Sequence, residues 1–361
     1  MIKENQYNPQ SRPHPSETLA EKLAEMAMGP KEFALRTGKP EKTINTLLKG
    51  ECSITPDMAV LFENVTKIPA SFWINHQRAF DEYIARIKRQ AAIDEAITWA
   101  KCFPLSDMIK MGWIPKSETL QQKTLDMLAF FGFSQHAAWE EYYFKQQLKV
   151  AFRISLSNTN EPYAISAWLR KGELQALELK AQPYSEKKFK DSLPKLKSIM
   201  AKHPKDFFNQ LQQVCQEAGV KVVHTPCVIK APISGATRWL NDTPLIQLSA
   251  RYKRNDSFWF TFFHEAGHII LHGKKDIFLE KVDYSDKDLL KEKEANDFAV
   301  KWTLTQNEEL EITSTGSLNL TDIISFAKQF NTHPAIIIGR LQHNKHLPFS
   351  FGREFLKTID L

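Results

Sequence analysis

The chain has 361 residues, 42% of them hydrophobic and 25% charged, with a formal net charge of +6. That balance excludes a disordered or collagen-like chain and supplies apolar material for two or three packed domains. No apolar run approaches the roughly 18–20 residues that cross a bilayer, and residues 1–10 lack the apolar core of a secretion signal. Cys52, Cys102, Cys215 and Cys227 are scattered without paired spacing. The expectation is a cytoplasmic protein with reduced thiols and no membrane partner.

The first fifteen residues, rich in Pro and polar types, read as a loose arm. Short helices punctuated by Gly and Pro are predicted from Ser16 to about Arg89. Within them Ala34, Gly38, Ile44 and Leu47 have the spacing of a helix-turn-helix. Ala34 is small where two helices cross, Gly38 supplies the turn, and Ile44 and Leu47 pack the second helix inward. The outward positions include Arg36, Lys39, Lys42, Thr43, Asn45 and Thr46, types suited to phosphates and base edges of duplex DNA. Bulk charge lends little weight, since residues 1–90 carry 13 Lys and Arg against 11 Asp and Glu. A small helical bundle without DNA affinity fits the same spacing.

Residues 91–215 continue as helices without a chemical motif, their Trp99, Trp113, Trp139 and Trp168 reading as packing core. The lysines between 187 and 197 read as a solvated face. After Gly219 the texture changes, with extended stretches over 221–224, 237–240 and 245–249. A long apolar helix follows over 256–272, a second helix over 289–304, and two short helices ending near His343. The predicted fold is mainly α and multidomain. It comprises an all-α helix-turn-helix domain over 1–90, a helical middle over 91–215, and an α+β domain with a small sheet over 216–361.

The sharpest feature is His264-Glu265-Ala266-Gly267-His268. Residues four apart share a helix face, so both imidazoles can reach one zinc ion with Glu265 beside it as general base. The surrounding helix is apolar nearly all round, an expensive place for two His and a Glu unless something pairs with them. Glu292 is the favoured third ligand, four residues before Asn296 on the next helix. Its spacing to Asn296 resembles the third-ligand element of glutamate-class zinc proteases. Glu294 competes with it, pointing about 200° away. Lys274, where a third His would fall in the longer metzincin pattern, disfavours that class. His272 continues the same face as a packed or supporting residue. Arg340 and His343 could stabilise an oxyanion or grip substrate, or simply end their helix. The strand over 245–249 is expected to offer an edge to a substrate chain.

Two resemblances add to this. His14-Pro15-Ser16-Glu17-Thr18-Leu19, residues 53–59, and Phe72-Trp73 with Gln77 and Asp81 resemble the HigA-type antitoxins. This implies operator binding by a homodimer and partnership with a toxin. Residues 258–268, together with Trp239-Leu240-Asn241, Ile246-Gln247-Leu248-Ser249 and Glu294-Ala295-Asn296-Asp297-Phe298-Ala299, resemble the ImmA/IrrE metallopeptidases over roughly 215–345. That resemblance implies a zincin-like domain that cleaves a transcriptional repressor. His264, His268 and Glu292 would hold Zn2+ and Glu265 would act as base. Trp302-Thr303-Leu304-Thr305 departs from that family's usual Leu-Met-Pro. The combined expectation is a DNA-binding regulator with zinc endopeptidase activity. The alternative is an antitoxin-like repressor with a structural or inactive metal site.

Overall fold

The computed structural model describes residues 11–146, 161–229, 231, 233–273, 278–279, 286–359 and 361. Lys274 and residues 1–10 of the expected arm lie outside them. The chain divides into two compact units, Met1–Glu95 and Ala96–Leu361.

The first unit is all helical: α1 (Pro15–Glu25), α2 (Pro30–Thr37), α3 (Glu41–Leu48), α4 (Pro56–Thr66) and most of α5 (Ala70–Ala100). Its starts are written in local chemistry. The His14 side chain accepts from Ser16 N and Glu17 reaches back to His14 N, while Thr55 Oγ1 accepts from Met58 N. Gly38, at a left-handed φ of 65°, turns α2 into α3 without strain. Leu19, Phe33, Ala34, Ile44, Leu47, Phe62 and Trp73 close one core. Gln77, buried beside it, accepts from Ile54 N and donates to Asp81.

In the second unit, α6 (Leu105–Lys110), α7 (Leu120–Phe131), α8 (His136–Glu140), a π-helical turn Glu141–Gln146 and α9 (Pro162–Glu178) surround an aromatic core. Trp139 stacks there between Tyr143 and Tyr163, with ring centroids 5.1 and 5.5 Å away. Next come α10 (Glu186–Lys202) and α11 (Phe207–Glu217). Then follow β1 (Lys221–His224), β2 (Gly235–Leu240), β3 (Thr243–Leu248), α12 (Asn255–His272), β4 (Phe278–Leu279) and α13 (Asp286–Thr303). Three helices finish the unit: α14 (Gln306–Ser314), α15 (Leu320–Gln329) and α16 (Pro334–His343). Leu193, Leu196, Leu211 and Val214 share one core with Ile246, Phe262, Phe263 and Ile337. The boundary expected near 215 therefore runs through a packed core.

The sheet order is β1-β3-β2-β4. β3 pairs with β1 in parallel and with β2 antiparallel. This corrects the expectation that residues 245–249 offer a free edge. Both sides of that strand are already paired, and its Leu245, Ile246 and Leu248 are buried. The chain is mostly helical, with an all-α N-terminal unit and an α+β C-terminal unit.

Candidate metal centre

α12 is the spine of the site. Arg254 and Asp256 form a two-point ion pair at its start, 2.9 and 2.7 Å, where a carboxylate also suits the helix dipole. Gly339 on α16 is needed for this fit, since a Cβ there would collide with the Asp256 carboxylate. Phe258, Trp259, Phe262, Phe263 and Ile269 fill the core on one side of α12. On another side α13 comes close. A Cβ on Gly267 would lie 3.3 Å from Ala295 Cα and 3.2 Å from Phe298 Cβ, and Ala295 and Ala299 are fully buried. Small residues on both helices thus let a carboxylate of α13 reach the imidazoles of α12.

His264, Glu265 and His268 are 2%, 0% and 1% exposed, in the middle of that packing. The two Nε2 atoms are 3.0 Å apart. Glu292 spans them, its Oε2 3.3 Å from His264 and its Oε1 3.3 Å from His268. One ligand atom from each of the three residues lies within 4.8 Å of the others. Glu294 is not in this group; it lies 2.9 Å from His272 Nε2. Asn296 Oδ1 sits 3.0 Å from His264 Nδ1. A carbonyl oxygen only accepts, so Nδ1 carries the proton and the lone pair of His264 is on Nε2, facing a carboxylate oxygen.

Burial, with the neighbouring imidazoles His264 and His272 acting the same way, outweighs Glu292 and brings His268 down to about 4. Burial raises the Glu292 carboxyl, but the His264 and His268 imidazoles beside it outweigh that and pull it down to about 2. Two imidazole nitrogens and one carboxylate are thus turned toward a common point. That donor set suits a shared divalent cation. Two ligands ~2.0–2.1 Å from a tetrahedral ion stand about 3.3 Å apart, and the separations here agree to within a few tenths of an ångström.

Glu265 is held from the sheet. Thr237 Oγ1 on β2 donates to Glu265 Oε2 at 2.7 Å and approaches its backbone oxygen at 3.0 Å. Gly235, two residues earlier, leaves room for the carboxylate, since a Cβ there would sit 2.6 Å from Glu265 Oε1. No spacing in the sequence links Gly235 or Thr237 to Glu265; the contacts cross from strand to helix.

A cleft of about 760 Å³ adjoins the cluster, with Thr261, Asn296, Asp297 and Phe260 on its walls. Arg340 and His343 line it too. The Arg340 guanidinium is engaged with Glu309 at 2.8 Å, and Glu309 also holds Asn344. Tyr252 lines the same cleft and lies under the Arg251 guanidinium, 5.1 Å from ring centroid to Cζ.

In the first unit, Lys42 and Asn45 are exposed on α3, and Lys39, Thr43 and Thr46 are half-buried. Arg36 is paired with Glu32 at 2.6 Å, and the Thr46 hydroxyl donates to Lys42 O at 2.9 Å. Among the described residues no helix is long and apolar enough to cross a membrane.

None of the curated proteins matches the chain. Several solved structures are similar to part of it. An addiction module antidote protein of the HigA family from Coxiella burnetii is 32% identical over 24% of this chain and 95% of its own, with a TM-score of 0.22. A putative antidote protein of a plasmid maintenance system from Nostoc punctiforme is 26% identical over 24% and 96%, with a TM-score of 0.23. A Pseudomonas aeruginosa protein solved in complex with its operator DNA is 27% identical over 21% and 84%, with a TM-score of 0.21. Residues 215–338, which contain Thr237, His264, Glu265, His268, Glu292 and Asn296, match the family model Peptidase_M78, the IrrE N-terminal-like domain.

Proposed function

We propose that the second unit is a zinc-dependent endopeptidase and that the first unit brings it to duplex DNA, where it cleaves a repressor or a partner protein. The observation that carries the peptidase reading is the convergence of His264 Nε2, His268 Nε2 and the Glu292 carboxylate beside a buried Glu265. The match of residues 215–338 to a peptidase family supports it.

In this reading His264, His268 and Glu292 hold the ion. When bound, zinc supplies a Lewis acid that polarises a carbonyl and acidifies water. Glu265 takes the proton from the attacking water and passes it to the leaving amide nitrogen. Thr237 fixes one carboxylate oxygen, leaving the other for that transfer. Asn296 keeps the His264 lone pair on Nε2. The adjoining cleft receives the chain on one side of the scissile bond. Glu265→Gln preserves all three ligands and removes only the base. It is expected to retain zinc and to lose cleavage of a proteome-derived peptide library, read by mass spectrometry. Undiminished cleavage by that variant would overturn the reading.

The DNA reading rests on the tight turn at Gly38 and on Lys42 and Asn45 standing free on the outer side of α3. Duplexes selected from a random pool should lose affinity about tenfold or more on Asn45→Ala if that side chain reads a base edge. Lys42→Ala should weaken binding evenly across sequences and lower its salt dependence. Unchanged binding by Arg36, Lys42 and Asn45 variants together would remove this role from α3.

A further inference from the structure

The two imidazoles of the cluster are supported differently. His264 Nδ1 faces a carbonyl oxygen, which settles its tautomer at once. His268 Nδ1 instead faces another imidazole nitrogen, Nδ1 of His272, at 3.0 Å. Of two ring nitrogens this close, one donates and the other accepts, and the pair alone does not decide which. The decision falls on the far side of His272, where Nε2 lies 2.9 Å from Glu294 Oε2. A carboxylate only accepts, so His272 Nε2 carries the proton. A His268 ring that offers Nε2 to a metal carries its proton on Nδ1 and donates it to His272 Nδ1, which accepts while the His272 Nε2–H turns to Glu294. His268 Nε2 is the atom 3.0 Å from His264 Nε2 and 3.3 Å from Glu292 Oε1.

We propose that Glu294 and His272 are positioning residues, a carboxylate–imidazole relay that fixes the tautomer and ring orientation of His268 for metal binding. The inference rests on the metal reading of His264, His268 and Glu292 proposed above. Helix geometry makes the relay available. His264, His268 and His272 recur every four residues along one face of α12. Glu294, about 200° around α13 from Glu292, meets the last of them while Glu292 meets the first two. The two acids that compete in the sequence thus take separate places, one on the ligand nitrogens and one on the relay. The relay also runs from surface to interior: the Glu294 side chain is 63% exposed and that of His272 only 4%.

The test is the zinc affinity of the full chain, measured by competition with a chromogenic chelator at one neutral pH. His272→Leu removes the acceptor and should weaken zinc binding about 10–100-fold. His272→Asn places an amide oxygen near the lost Nδ1 and should recover most of that loss, which a packing role would not produce. Glu294→Ala should weaken binding by less, because His272 keeps an accepting nitrogen in one of its two tautomers. Should His272→Leu fail to fold, Glu294→Ala changes an exposed residue and carries the test alone. Wild-type affinity in both the Leu and Ala variants overturns the relay. Equal losses in the Leu and Asn variants assign His272 to packing and also overturn it. A wild-type chain that binds no zinc refutes the metal reading itself, which affinities shifted only in the variants would leave standing.

Discussion

Gly235→Ala offers a sharp separation between holding a metal and using it. The added Cβ would sit 2.6 Å from Glu265 Oε1 and 2.6 Å from Thr261 Cγ2, and the next nearest atom is Glu265 Cγ at 3.0 Å. Ordinary contacts begin near 3.4 Å, so the carboxylate must withdraw by about 0.8 Å, and a displacement of about 1 Å in a reacting group can cost about 100-fold in rate. The withdrawal also strains the 2.7 Å bond from Thr237. Overpacking of this kind destabilises a fold by about 1–3 kcal/mol, so the variant should still fold. The three nearest atoms belong to Glu265 and Thr261, and none to His264, His268 or Glu292. The expected phenotype is full zinc content with cleavage of a peptide library reduced about 100-fold. Wild-type cleavage, or zinc lost in step with activity, would refute the reasoning.

Other outcomes follow from the same contacts. Thr237→Val keeps the shape but removes the donor to a fully buried carboxylate; a hydrogen bond to a charged group is worth about 1.5–3 kcal/mol, so cleavage should fall about 10–100-fold at unchanged zinc content. Ile44→Ala in the first unit, at a fully buried position, should cost about 2–5 kcal/mol in urea unfolding of that unit. A further outcome concerns His203 and His333, whose ring centroids are 5.7 Å apart. Each accepts through Nδ1, from Trp259 Nε1 and Ala335 N respectively. Burial, then Lys357, brings His203 down to about 4, and burial, then His203 and Lys357, does the same for His333. Between the ordinary value of 6.5 and about 4 the unfolded chain binds more protons than the folded one. Stability should therefore decline as pH falls through that window and level off below it. Denaturant titrations should show a shallower decline for the His203→Gln/His333→Asn double variant, and an unchanged slope would contradict the assignment.

What was legible in the sequence is what local periodicity carries. A spacing of four puts His264 and His268 on one face of a helix, and Gly38 between two short apolar patterns marks a turn. The choice between Glu292 and Glu294 is a matter of which face of α13 meets α12, and periodicity alone cannot orient that face. The supports of Glu265 were not legible because Gly235 and Thr237 lie across a strand-to-helix contact, some thirty residues away in a segment with no motif. The place of β3 differs from its sequence pattern for a related reason. Gln247 gives the strand an alternating, half-exposed pattern, yet it is buried and donates to Trp168 O at 2.7 Å. A polar residue satisfied by a buried carbonyl looks in sequence like one facing water. The amphipathic pattern of α11 likewise does not reveal that its apolar side joins the core of the sheet and α12.

The most direct measurement is the metal content of the purified full chain beside that of its His264→Ala variant, by elemental analysis after equilibration with zinc and removal of loosely held ions. A single zinc ion retained per chain and absent from the variant is the expected pair of values. A wild-type chain that retains none, or a variant that retains as much, would contradict the account.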